Sequence, residues 1–139
     1  YIGASPLILE DTLRENLKYA SKQEILDSKM IDLLDEFKVF TETNSEDLNK
    51  IISNKTLSSG QMQKISFIRA FLSDCEILFL DESTSNLDIG TKKQISEILN
   101  SKKITIINST HNAEDFDFDD HFKIIIDEND RRLIKPSNI

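Results

Sequence analysis

A chain of 139 residues is within the size of one domain, and its 38% hydrophobic content suffices for a modest core; 30% charged residues with three Gly and two Pro exclude a low-complexity or disordered chain. The net charge of −8 and a pI near 4.7 speak against a nucleic-acid or anionic-membrane surface, because such partners need clustered Lys and Arg. A single cysteine, Cys75, excludes an internal disulfide framework, and no apolar run approaches the ~20 residues that cross a bilayer. The chain opens at Tyr1 inside an apolar segment, without an initiator Met or a basic-then-apolar leader, and reads as a piece of something longer.

Residues 10 to about 56 carry helical periodicity with polar connections. Thr12, with Glu15 and Asn16 close behind, supplies helix-start chemistry ahead of Leu13 and Leu17. Ser21 and Glu24, three apart, fit a capping box before Ile25, Met30, Leu33, Leu34 and Phe37. A polar stretch over 41–47 then precedes a short helix predicted around Leu48 to Ile52. This half is predicted to be a small helical subdomain.

From residue 58 onward helix and strand alternate. Residues 58–73 read as a helix with Ile65, Ile68, Phe71 and Leu72 inward, and 76–80 as a buried parallel strand, with Cys75 beside it as a small buried hydrophobe. Asp88 to Leu99 is predicted helical, with Ile95, Ile98 and Leu99 on one side. Lys103 to Asn108 and Phe122 to Ile126 are further strands, and Glu128-Asn129-Asp130 reads as a hairpin turn into Arg132 to Ile134. This order predicts a layered α/β unit with an at least partly parallel sheet.

Asp81-Glu82 ends the apolar run at 77–80, where open α/β sheets bind ligands. One acid can hold hydrated Mg²⁺ and the next can orient or deprotonate an attacking water. Upstream, Thr56-Leu57-Ser58-Ser59-Gly60-Gln61 sets hydroxyls and a glycine at a helix start, which suits an anion such as phosphate; a plain Ser N-cap is the simpler role.

Together these segments resemble the motifs of ATP-binding cassette (ABC) ATPases. Leu57-Ser58-Ser59-Gly60-Gln61 resembles the LSGGQ signature, with Ser59 for the first glycine, and Gln63, Lys64, Arg69 and Ala70 continue like the signature helix. Asp81-Glu82 is similar to the Walker B aspartate and catalytic glutamate, Ser85-Asn86-Leu87-Asp88 to the D-loop, and His111 to the switch histidine. Ser5-Pro6-Leu7 through Leu17 resembles the Q-loop and following segment of exporter-type cassettes.

The resemblance implies the core half of an α/β P-loop NTPase with an inserted helical subdomain. It divides the chain into a Q-loop region at 1–9, a helical and signature subdomain at 10–72, and a Walker B, D-loop and switch-histidine part at 73–139. It further implies two cassettes sandwiching ATP head to tail. Ser58, Ser59, Gly60 and Gln61 would then contact the γ-phosphate and ribose of ATP held by the partner, and Ser85 and Asp88 would lie at the dimer seam. Asp81 would hold Mg²⁺ through water, Glu82 would be the general base or water-orienting group, and His111 would contact the γ-phosphate. The implied partners are a second cassette and the transmembrane domain of a transporter, with no nucleic acid, at the cytoplasmic face of a membrane.

Departures limit the expectation. No G-x-x-x-x-G-K-[ST] occurs, since Gly3, Gly60 and Gly90 are followed by Ala, Gln and Thr, so the isolated chain is expected to be inactive. Ala4 falls where the Q-loop glutamine would be, and Ile51 to Lys55 lacks the glycine-and-acid pattern of many exporters. The acidic run Glu114 to Asp120 lacks the glycine turn and closing Glu of a calcium loop and reads as a solvated loop anchored by phenylalanines. His121 matches no functional position. The competing readings are a soluble ABC-type ATPase of DNA maintenance or translation, disfavoured by the acidic balance and by the segment Leu7 to Leu17, and a non-catalytic interaction module.

Overall fold

A computed structural model describes residues 1–19, 21–85, 87–112, 117–126 and 132–136. In chain order the elements are β1 (Ile2–Gly3), β2 (Asp11–Thr12), α1 (Leu13–Lys18), α2 (Asp27–Glu36), a 3₁₀ turn (Asp47–Asn49), β3 (Ile51–Ile52), α3 (Ser59–Leu72), β4 (Ile77–Asp81), α4 (Ile89–Ser101), β5 (Thr105–Ser109), β6 (Phe122–Ile126) and β7 (Arg132–Pro136). The described strands form a parallel sheet in the order β1-β4-β5 and two antiparallel pairs, β2-β3 and β6-β7.

The apolar run before Asp81 is the middle strand, and its alternation decides the layering. Leu78 and Leu80 are buried against the helices, while Ile77 and Phe79 stand half-exposed on the opposite face with Ile107 of β5. The helical layer beneath is one continuous core in which Leu17, Met30, Leu34, Phe37, Ile65, Phe67 and Ile68 lose essentially all solvent contact. Phe37 joins α2 to α3 through Phe67 and Phe71, with ring centroids 6.4 and 5.7 Å away.

Local chemistry explains the helix ends. Thr12 caps α1 by accepting from the Glu15 amide, Ser58 and Gln61 form a reciprocal capping box on α3, and Asp88 caps α4 through the Thr91 amide. Helix α2 stops in a Schellman pattern. The Lys38 amide bonds the Asp35 carbonyl, the Val39 amide bonds the Leu34 carbonyl, and Lys38 takes a left-handed φ of 48°.

Asn16 and Arg69 tie the first segment to α3. Asn16, fully buried, accepts from the Leu9 amide at 2.9 Å and donates to the carbonyls of Leu9 and Thr12, each at 3.0 Å. The buried Arg69 guanidinium donates to the Asn16 side chain at 2.7 Å, to the Asn16 carbonyl and to the Leu7 carbonyl, and it stacks on Tyr19. Every acceptor is an uncharged oxygen; desolvation pulls the Arg69 pKa down, yet a guanidinium stays charged.

Two expectations change. Ser21 does not cap a helix: its hydroxyl pairs with the Gln23 backbone, and α2 starts six residues later at Asp27 with no side-chain cap. The helix expected at Leu48 to Ile52 is a 3₁₀ turn followed by β3, because the Asp11–Thr12 edge captures Ile51–Ile52 in a ladder. β1 adds an unforeseen parallel strand. β6 pairs antiparallel with β7, as the expected hairpin requires, and among the described residues with no other strand. The hairpin turn at 128–130 and residues 114–116 of the acidic run lie outside the described residues; within the remainder of that run Asp117 accepts from Asn100 at 3.2 Å and Phe118 packs on His121.

Candidate functional site

Parallel register brings the first cluster together. β4 sets Asp81 level with Gly3 on one side and Ser109 on the other, so the carboxyl ends of three strands meet at the two acids. Asp81 points to the open face and accepts from the Tyr1 hydroxyl at 2.9 Å, a bond that pushes the Tyr1 pKa up. The Tyr1 ring folds over Gly3, where a Cβ would come within 2.9 Å of its hydroxyl oxygen.

Glu82 leaves the strand with a left-handed φ of 52°. Its amide donates to the Ser109 carbonyl at 2.9 Å, and its carbonyl accepts from the Ser85 amide at 3.2 Å and the Ser85 hydroxyl at 2.9 Å. Its carboxylate accepts from the His111 amide at 3.0 Å, with the His111 Nε2 3.7 Å from the same oxygen. The imidazole itself is 94% exposed, so the backbone rather than the ring anchors Glu82 and leaves the ring presented outward.

A second cluster lies at the start of α3. Ser58 caps the helix, Ser59 and Gly60 begin it, and a Cβ on Gly60 would lie 3.9 Å from Leu87 and 4.0 Å from the Ser58 hydroxyl. The segment after Glu82 is thus beside the first turn of α3 within one chain. Gly60 needs neither a left-handed backbone nor space against its own chain. Gln61, expected to face nucleotide, spends both ends of its amide internally: Oε1 accepts from the Ser58 amide at 2.9 Å and Nε2 donates to the Val39 carbonyl at 3.1 Å. Asp88 accepts from both the amide and hydroxyl of Thr91, which hold its carboxyl below the ordinary value, and its charge faces Lys64. Asn86 lies outside the described residues.

Among the described residues no trio of His, Cys, Asp or Glu is grouped to hold a metal, and no helix is long and apolar enough to cross a membrane. Sequence reasoning missed Ser109, whose contribution is a carbonyl, and Tyr1. It also missed the pairing of Asn16 with Arg69, residues 53 apart that each read as part of a motif without a stated contact.

The fold and site define a mixed α/β domain with parallel strands, of the P-loop NTPase type built by ABC ATPases. The family model for ABC transporters matches residues 4–85, more than half of the chain, and the chain belongs to that family. It is 32% identical over 135 residues, 91% of the chain, to the glutathione/L-cysteine transport system ATP-binding/permease protein CydC of Haemophilus influenzae, covering 23% of that protein. Similarity extends to the α-factor-transporting ATPase of Saccharomyces cerevisiae, 38% identical over 100 residues, 70% of the chain and 8% of that protein. The ATP-dependent lipid A-core flippase 2 of Colwellia psychrerythraea is 28% identical over 144 residues, 99% of the chain and 24% of that protein. The chain therefore spans about a quarter or less of the length of these relatives.

Proposed function

We propose that this chain is the signature and Walker B half of a nucleotide-binding domain whose intact protein hydrolyses ATP to drive transport across a membrane. The observation that carries the reading is the convergence of Asp81, Glu82 and His111 where β4 and β5 end side by side. Glu82, held by the His111 amide, orients the attacking water or takes its proton, and the outward imidazole reaches the γ-phosphate. Asp81 is a single hard carboxylate on an open face, which suits Mg²⁺ retaining most of its water shell; bound there, the ion would neutralise phosphate charge.

Gly60 supports the half-site. A glycine in the first turn of a helix that requires no glycine for its own geometry fits a group approaching from outside, here the phosphate of ATP held by a second cassette. The hydroxyls of Ser58 and Ser59 and the amides of Ser59 and Gly60 supply donors, Gln61 closes the turn, and Ser85 and Asp88 lie toward the seam. The half-exposed Ile77, Phe79 and Ile107 form an apolar face of a parallel sheet, and such sheets are covered on both sides; the P-loop-bearing part of the domain is the fitting cover. A transmembrane domain is the further partner, and the site faces the cytoplasm.

The test is ATP hydrolysis by the full-length protein and by its Glu82→Gln variant. Turnover should fall at least about a hundred-fold on substitution, with nucleotide still bound, and residues 1–139 alone should not turn over Mg-ATP. Unchanged turnover in the variant would overturn the assignment of Glu82.

A further inference from the structure

We infer that Ser85 is a positioning residue for Glu82 in its own chain, holding the strained backbone from which the Glu82 carboxylate meets the His111 amide. The inference rests on the assignment of Glu82 above, and it differs from the seam role that the D-loop resemblance implies. Its starting point is the left-handed φ of 52° at a residue that carries a Cβ, a conformation that persists only where the surroundings over-determine it.

The bonds that do so can be named. Upstream, the Glu82 amide is fixed on the Ser109 carbonyl at 2.9 Å. Downstream, Ser85 closes a three-residue turn on the Glu82 carbonyl with two donors, its amide at 3.2 Å and its hydroxyl at 2.9 Å. The intervening Ser83 and Thr84 are each 3% exposed, so the turn cannot slide without disturbing the core. With amide and carbonyl both tied, the two dihedrals of Glu82 are set, and with them the direction of its Cα–Cβ bond. Relaxation toward the right-handed or extended region would swing that bond away from the His111 amide, now 3.0 Å from the carboxylate. Among these contacts the Ser85 hydroxyl is the side-chain donor, hence the one that substitution can remove without touching the reacting groups.

The experiment compares Ser85→Ala and Ser85→Thr in the full-length protein, reading kcat and KM for ATP, the thermal midpoint and ATP-dependent dimerisation. Loss of one hydrogen bond from the poised conformation lowers kcat about five-fold, with KM within about two-fold. Threonine keeps the hydroxyl and restores most of kcat. In a Glu82→Gln background, adding Ser85→Ala leaves the residual rate unchanged, because the group it positions is already gone. An unchanged kcat in Ser85→Ala, no rescue by threonine, or a raised KM with weakened dimerisation and intact kcat would each overturn the inference. So would a further fall in the double variant. If Glu82→Gln itself retains full turnover, the reading of Glu82 fails first; if it is inactive while Ser85→Ala is fully active, only the role of Ser85 falls.

Discussion

Replacing Asn16 by Ala removes the junction between the segment 7–9 and α3, and its cost can be worked bond by bond. The substitution deletes two acceptor contacts, from the Leu9 amide at 2.9 Å and Arg69 Nη2 at 2.7 Å, and the donor contacts to the carbonyls of Leu9 and Thr12 at 3.0 Å and of Asp11 at 3.4 Å. The site is fully buried, so water does not simply replace the amide. An orphaned buried amide costs about 1–3 kcal/mol, and a lost bond to a charged donor is worth about 1.5–3 kcal/mol. Arg69 keeps the carbonyls of Asn16 and Leu7, which moderates its share. The total is about 4 kcal/mol, against the roughly 7–20 kcal/mol that typifies a domain of 139 residues. With m near 2 kcal/mol per molar urea, the unfolding midpoint should drop by about 2 M at unchanged m. Urea denaturation of wild type, Asn16→Ala and the exposed neighbour Glu15→Ala measures this, with the last close to wild type. A cost below about 1 kcal/mol for Asn16→Ala would show that the junction contributes little, whatever its geometry.

Two further outcomes follow from the same structure. Gly60→Ala should leave the thermal midpoint unchanged or raise it, since alanine favours helix by about 0.5–1 kcal/mol and its Cβ meets only ordinary contacts. Turnover by the full-length protein should nevertheless fall at least about ten-fold, because an external group needs that space; destabilisation with normal turnover would refute the argument. For pH, Asp27 is held below its ordinary 3.8 chiefly by its bond to Arg14, Asp47 by Lys50 and then the Asn44 amide, and Asp88 by the Thr91 amide and hydroxyl. Depressed carboxyl pKa values stabilise the fold fully above the unfolded value and lose that contribution as pH falls through the folded value. Chemical stability should therefore hold from neutral pH to about pH 5 and decline below about pH 4, and a flat profile through that window would contradict the three contacts.

What the sequence disclosed was whatever local spacing encodes. The caps at Thr12 and Ser58 act on amides three residues away, and the inward positions Ile65, Ile68, Ile95, Ile98 and Leu99 recur with the helical period; all are found as expected. The failure at Ser21 shows the limit, because a serine hydroxyl near a turn can serve its own backbone and the sequence does not say which bond wins. Leu48, Ile51 and Ile52 have helix-like spacing, but β3 is decided by an edge about forty positions earlier, beyond any window of periodicity. The two-residue strand β1 is too short to carry a pattern at all. At the site, side-chain chemistry was legible in Asp81, Glu82 and His111, whereas the left-handed turn at Glu82 and the carbonyl of Ser109 belong to the backbone and leave no trace in residue type.

The first turn of α3, proposed above as a half-site, presents a restricted set of groups. Gln61 is committed to Ser58 and Val39, and releasing its amide for a ribose would break two hydrogen bonds worth about 2 kcal/mol together. Ser58 already accepts from the Gln61 amide, but its hydroxyl proton is unspent in that bond. Ser59 and Gly60 begin the helix, where amides have no intrahelical acceptor. What faces outward is therefore a set of N–H and O–H donors at the positive end of a fourteen-residue helix, a surface matched to phosphate oxygens. Ser59 adds a hydroxyl where the family pattern has glycine, so this turn gains a donor. It also gains a Cβ, which limits how closely a ligand approaches on that side and leaves Gly60 as the position of this turn that presents bare backbone.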